Sequence, residues 1–198
     1  MDGCGRLADL PQRTLLDTCI LNRLYDEGGY IFDGDEPSHH SSQREELDAL
    51  RAIFLVNERA RFQFLVSPLS IAEIANIQNL RSRGGLLMWV LDVLDHWLVM
   101  LDEIGDRISK GGSVRTRFKL TAELQSLEAA LLAIPDFARD PFDRLLLIQY
   151  KMGACDCFLT SDLNTIWKHR EQLNALGIKV VRPEEYWLEL KPWAALWL

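Results

Sequence analysis

Residues 140–162, DPFDRLLLIQYKMGACDCFLTSD, constrain the fold most, because an acid-headed helical pattern runs directly into a short apolar strand that ends in another acid. Asp140 reads as an N-cap and Pro141 as the first helical residue, where a missing N–H costs nothing. Leu145, Leu146, Ile148 and Met152 form the apolar face, and Gly153 stops the helix. Residues 155–159 then read as a buried strand, since a short β-compatible run bounded by Gly and by Ser-Asp is the pattern of a central parallel strand. Asp162 falls just past the carboxyl end of that strand, where open α/β sheets bind ligands.

The same alternation extends through the chain. Residues 14–17 read as a first strand with Asp17 at its junction with a helix over 18–25, and residues 62–66 read as a second strand. Between them lie a polar Gly/Ser/His-rich connection at 27–42, expected to be mobile, and an amphipathic helix over 45–61. Ser67-Pro68 opens a further helix in which Ser70 and Glu73 match a capping box. A helix over 163–176, Gly177 as its stop and a fourth strand at 178–181 complete the pattern. Strands alternating with helices predict an α/β fold, a central mainly parallel sheet covered on both faces.

The most apolar run, residues 85–101, is interrupted by Asp92, Asp95 and His96, so it reads as a helix of a soluble protein rather than a membrane span. With a break at Gly111-Gly112 and a second amphipathic helix through Leu120, Leu124, Leu127, Ala130 and Leu131, it predicts a helical hairpin inserted at about 81–135 of a single domain spanning 1–198. The four cysteines, Cys4, Cys19, Cys155 and Cys157, lack zinc spacing. Two of them fall in one strand, where alternation puts both on one side, so reduced packing residues in a cytoplasmic protein are expected. The N-terminus has neither the basic start nor the apolar core of a signal peptide.

Four acids, Asp17, Glu73, Asp143 and Asp162, lie just after strands or in the opening turns of helices. Each alone has a structural explanation as a cap or a dipole-favoured first-turn acid. Together they are different, because parallel strands end along one edge and would gather these side chains in one cleft. Gathered carboxylates repel one another unless a cation neutralises them. Oxygen-only ligands select hard ions, so Mg2+ or Mn2+ is the expected occupant. Such an ion supports hydrolysis of a nucleic-acid backbone. The net charge of −7 repels nucleic acid as a whole, so that partner would have to be met locally. No Gly-rich phosphate loop followed by Lys and Ser/Thr is present, which disfavours a P-loop nucleotide hydrolase.

Four blocks, LLDTCILN at 15–22, SPLSIAEIANI at 67–77, DPFDRLLLIQ at 140–149 and FLTSD followed by LGIKVVRPEEY at 158–186, resemble in order and spacing those of PIN-domain ribonucleases. The resemblance covers most of the chain outside 27–60 and 81–135. It implies a PIN-like three-layer α/β/α fold and an endoribonuclease in which Asp17, Glu73, Asp143 and Asp162 bind one or two divalent metals. It further implies that Thr18 and Thr160 orient carboxylates or water and that Asn22 lies near the site. DPFDR is similar to VapC-like toxins of toxin–antitoxin pairs, which implies an antitoxin protein as a partner beside the RNA substrate; a homodimer is a separate expectation. Ile148, Tyr150 and the length of 81–135 depart from that subgroup.

Arg107, Lys110, Arg115, Arg117 and Lys119, with Arg81 and Arg83 at the other end of the expected hairpin, read either as contacts to RNA phosphates or as a solvated basic face. Lys168, His169 and Arg170 carry the same two readings. His39-His40 reads as part of a polar loop. The apolar tail YWLELKPWAALWL either folds back over the core or meets a partner. A non-catalytic scaffold acting through the hairpin and this tail is the alternative to a nuclease.

Overall fold

The computed structural model describes residues 9–37, 43–60, 62–76, 80–94, 98–101 and 121–196, the side chains of 58 and 80–83 excepted. Five parallel strands form one sheet: β1 (Arg13–Leu16), β2 (Gln63–Val66), β3 (Leu98–Met100), β4 (Cys157–Leu159) and β5 (Val180–Val181). Their spatial order is β3-β2-β1-β4-β5. The chain therefore winds outward from β1 in one direction, returns, and winds outward through β4 in the other. This reversal makes the carboxyl ends of β1 and β4 a topological switch point, where connecting loops diverge and leave a crevice.

Alternation along the strands divides the apolar residues between the two sheet faces. Leu16, Phe64, Val66, Leu98, Cys157, Leu159 and Val181 join one cluster. It is covered by α1 (Thr18–Asp26), α2 (Arg44–Ala60), α4 (Leu80–Val93) and α9 (Pro183–Leu190), with Ile74 of α3 (Pro68–Ala75) at its margin. Leu15, Leu65, Phe158 and Val180 join the other cluster. Over them lie α5 (Ala122–Leu132), α6 (Pro135–Arg139), α7 (Pro141–Met152) and α8 (Arg170–Ala175). The result is a mixed α/β architecture with helices on both faces of a parallel sheet, as the strand–helix alternation predicts.

The described residues of 81–135 do not pack as the expected helical hairpin. Helix α4 ends at Val93, and Leu98–Met100 pairs in parallel with β2 as the edge strand β3. The apolar residues of α4, Leu86 and Val90, pack on one face of the sheet, whereas Leu127 and Leu131 of α5 pack on the other. A continuous apolar run has no period that separates a helix end from a buried edge strand, which is why sequence reasoning merged the two. Residues 102–120, with the glycine break and Arg107, Lys110, Arg115, Arg117 and Lys119, lie outside the described residues.

Other differences are local. The connection at 27–42 is not wholly polar: Gly29–Asp33 forms a π-helical turn that buries Tyr30 and Ile31, with Arg44 and Arg51 over the Tyr30 ring. His39 and His40 lie outside the described residues, as do Asp95 and His96, while Asp92 is exposed. Residues 163–176 are not one helix but a turn, a 3-10 turn at Trp167–His169, and α8. Cys155 precedes the strand instead of sharing it and packs in the opposite cluster from Cys157. The tail folds back: α9 packs on α2, Tyr186, Leu190 and Ala194 are buried, and Trp187 and Trp193 lean on the same core. Among the described residues, no helix is long and apolar enough to cross a membrane.

Candidate acidic centre at the sheet switch point

Asp17 leaves β1 where the strand gives way to α1. Its backbone N–H donates to the Leu159 carbonyl of β4 at 3.0 Å, while its own carbonyl accepts from Ile20 and Leu21 to start the helix. It occupies the N-cap position, but its side chain makes no capping bond. The carboxylate turns to the neighbouring strand end, where Thr160 Oγ1 donates to Asp17 Oδ2 at 2.5 Å and Cys19 Sγ donates to the same oxygen at 3.2 Å. The capping explanation of this acid therefore does not hold. Burial pushes the Asp17 carboxyl above its ordinary range, with the charge of Asp162 adding to it, against the hydrogen bonds from Thr160 and Cys19.

Thr160 serves two acids. Besides holding Asp17, its hydroxyl oxygen accepts the backbone N–H of Asp162 at 2.9 Å. Asp162 Oδ1 in turn accepts from the N–H groups of Asn164 and Thr165, at 2.8 and 3.2 Å, so one of its oxygens caps the following turn. The structural explanation is realised there, and the second carboxylate oxygen is left for another partner.

Helix α3 starts differently from the expected capping box. Ser67 is the N-cap, accepting from Leu69 N–H at 2.8 Å, and Ser70 is buried inside the helix. Freed of a capping role, the exposed Glu73 accepts from Thr18 Oγ1 at 2.6 Å, which ties α3 to the first residue of α1. Asn22 lies one turn further along α1, half-buried.

Helix α7 begins as expected. Asp140 accepts from Phe142 and Asp143 N–H, and Pro141 occupies the first position. Asp143 is half-buried on the first turn. Its carboxyl is pushed up to about 7, first by burial and then by the negative charges of Asp140, Asp17, Asp162 and Glu73. That list of neighbours puts all four expected acids in one electrostatic neighbourhood, with Asp140 beside them as a cap.

The donor set suits a hard divalent cation in chemistry: oxygen donors, two carboxyls raised by burial and mutual repulsion, and hydroxyls already orienting Asp17 and Glu73. It is not a closed chelate, because among the described residues no three acidic, His or Cys side chains converge on one metal position. The fit is one of charge and donor type.

Among the described residues, Lys168, His169 and Arg170 are engaged within the fold, as the reading without RNA contact expects. Lys168 and His169 both engage Asp136, at 2.6 and 2.8 Å, and Arg170 stacks over Trp167. Lys168 and His169 act as local ties between α6 and the 3-10 turn. Arg81 and Arg83 fall on α4, but their side chains lie outside the described residues.

Sequence reasoning missed three polar residues here. Cys19 bonds Asp17 and accepts Ser161 N–H at 3.2 Å, and Ser161 Oγ donates at 2.7 Å to Glu46, a buried acid of α2. Cys19 and Ser161 sit one or two positions from acids already singled out, a signal that was available. Glu46 lies 115 residues from Ser161 and had no such signal. No family model, curated protein or solved structure matches this chain.

Proposed function

We propose that the protein is a divalent-metal-dependent endoribonuclease of the PIN type that hydrolyses RNA phosphodiester bonds at this acidic centre. The carrying observation is that Asp17 and Asp162, joined through Thr160, stand at the ends of β1 and β4 with Glu73 tied to Thr18 beside them, and that Asp17, Asp162 and Glu73 all raise the Asp143 carboxyl. A doubly wound parallel sheet with helices on both faces supports the PIN-like reading, because the sequence resemblance implies that architecture.

In this reading Asp17 and Asp143 supply the main contacts to Mg2+ or Mn2+, and Glu73 and Asp162 complete the site or hold the attacking water. When bound, such an ion lowers the pKa of water and neutralises charge on the phosphodiester. The chain's own part is preorganisation. Thr160 and Cys19 occupy one oxygen of Asp17, Thr18 occupies one oxygen of Glu73, and the Asp162 cap occupies one of its oxygens. Asp17, Glu73 and Asp162 are thus each held through one oxygen by a fixed neighbour, which orients the other oxygen before binding.

Cleavage of a single-stranded RNA with Mn2+ by the wild type, Asp17→Asn and Asp143→Asn is the test. The expected result is loss of at least about 100-fold in rate in each variant with the fold retained. Wild-type activity in both variants would sink the assignment. A toxin role requires in addition a small inhibitor protein that silences the wild type; the expected cytoplasmic location and homodimer are separate from that requirement. The scaffold alternative draws no support from the tail, whose Tyr186 and Leu190 face the core.

A further inference from the structure

Glu46 stands on the first turn of α2, where an acid is ordinarily explained by the helix dipole. Its environment calls for more than that, because it is buried and its Oε1 is shared by two donors from other elements. Ser161 Oγ donates to it at 2.7 Å and Arg23 Nε of α1 at 3.3 Å. A buried carboxylate without such partners would be costly, so the three groups depend on one another.

Ser161 is the middle residue of the turn that follows β4. On one side Thr160 donates to Asp17, and on the other Asp162 N–H returns to Thr160 Oγ1. Ser161 N–H is itself bound to Cys19 Sγ. The turn is therefore fixed from within by Thr160, from β5 by the Thr160 N–H bond to the Val181 carbonyl, from α1 by Cys19, and from α2 through the Ser161–Glu46 bond.

We infer that Glu46 is a positioning residue for the acidic centre, holding Ser161 and through it the turn that presents Thr160 to Asp17 and carries Asp162. Its consequence for cation binding rests on the reading of the acids proposed above. Glu46 touches neither metal nor substrate in this role.

Backbone exchange and metal affinity separate the two layers of the claim. Amide exchange in the metal-free protein is compared for wild type, Glu46→Ala, Glu46→Gln and Ser161→Ala. The Ser161 and Asp162 amides should exchange at least about tenfold faster in both alanine variants, whereas Phe158 and Thr160, bonded to the Lys179 and Val181 carbonyls, stay protected. Glu46→Gln keeps an acceptor for Ser161 and should stay within about threefold of wild type, which separates acceptor geometry from general loss of stability. Manganese titration of the same proteins should show about tenfold weaker binding in both alanine variants, the range typical of groups that orient ligands. Combining the two alanine substitutions should add nothing beyond Glu46→Ala, which already removes the Ser161 link along with the one to Arg23.

Unchanged exchange in Glu46→Ala overturns the inference, as does a glutamine variant that fails as badly as alanine. Accelerated exchange with wild-type manganese affinity overturns it as well, by severing the turn from the centre. A wild type that binds no manganese overturns the cation reading instead and leaves the turn-holding role judged by exchange alone.

Discussion

Asp143 is the residue whose chemistry most directly reflects the company it keeps. With its folded pKa raised from 3.8 to about 7, it binds a proton more tightly in the folded than in the unfolded chain. Stability of the metal-free protein should then be greatest at low pH and fall as pH climbs through that interval, levelling above it. Asp17 acts in the same direction. Asp136, lowered to about 2 by Lys168 and His169, acts oppositely, but only below 3.8. Urea midpoints at pH 5 and pH 8 should show the decline in wild type and a smaller one in Asp143→Asn. Metal competes with the same proton, so manganese affinity should weaken roughly tenfold per pH unit below about 7 if one proton is displaced. Thr160→Val removes the donor to Asp17 and the acceptor for Asp162 N–H at once, and should lower manganese affinity by about 10-fold or more in the same titration. Asp17, Asp143 and Asp162 were legible in the sequence because each follows a strand or opens a helix, whereas Glu73 lies in the second turn of α3. Their supports were not, since Glu46 reaches Ser161 only through the tertiary fold.

At the scale of elements, the tail gives a sharp contrast. Leu190 is fully buried and Leu188 is 64% exposed, two positions apart on α9. Leu190→Ala should cost ~2–5 kcal/mol in urea denaturation, and Leu188→Ala no more than about 0.5 kcal/mol. Equal small effects would mean that α9 is not part of the core. Gly177, which ends the segment before β5 with φ +73°, should lose ~1–2 kcal/mol on substitution by Ala, because an L-residue resists that conformation. Gly177 as a stop and Pro141 after Asp140 were readable because caps and breakers act locally. β3 was not, because Leu98–Met100 continues an apolar run and becomes a strand only by pairing with β2. The turn at 163–166 was also hidden, since Asp162 caps it and the chain reaches α-helix only at Arg170.

For the molecule as a whole, the doubly wound order explains why acids far apart in sequence meet. Winding outward from β1 in one direction and from β4 in the other leaves the ends of these two strands without an overlying crossover, and Asp17 and Asp162 stand there. Glu73 and Asp143 are brought alongside by α3 and α7, which meet beyond those strand ends. The measurement that bears most directly on this account is calorimetric titration of Mn2+ into the wild type, Asp17→Asn and Asp143→Asn at pH 7.5. The expected result is saturable binding to the wild type, weakened at least about tenfold in each variant while thermal unfolding remains cooperative. Identical isotherms for all three proteins would contradict it.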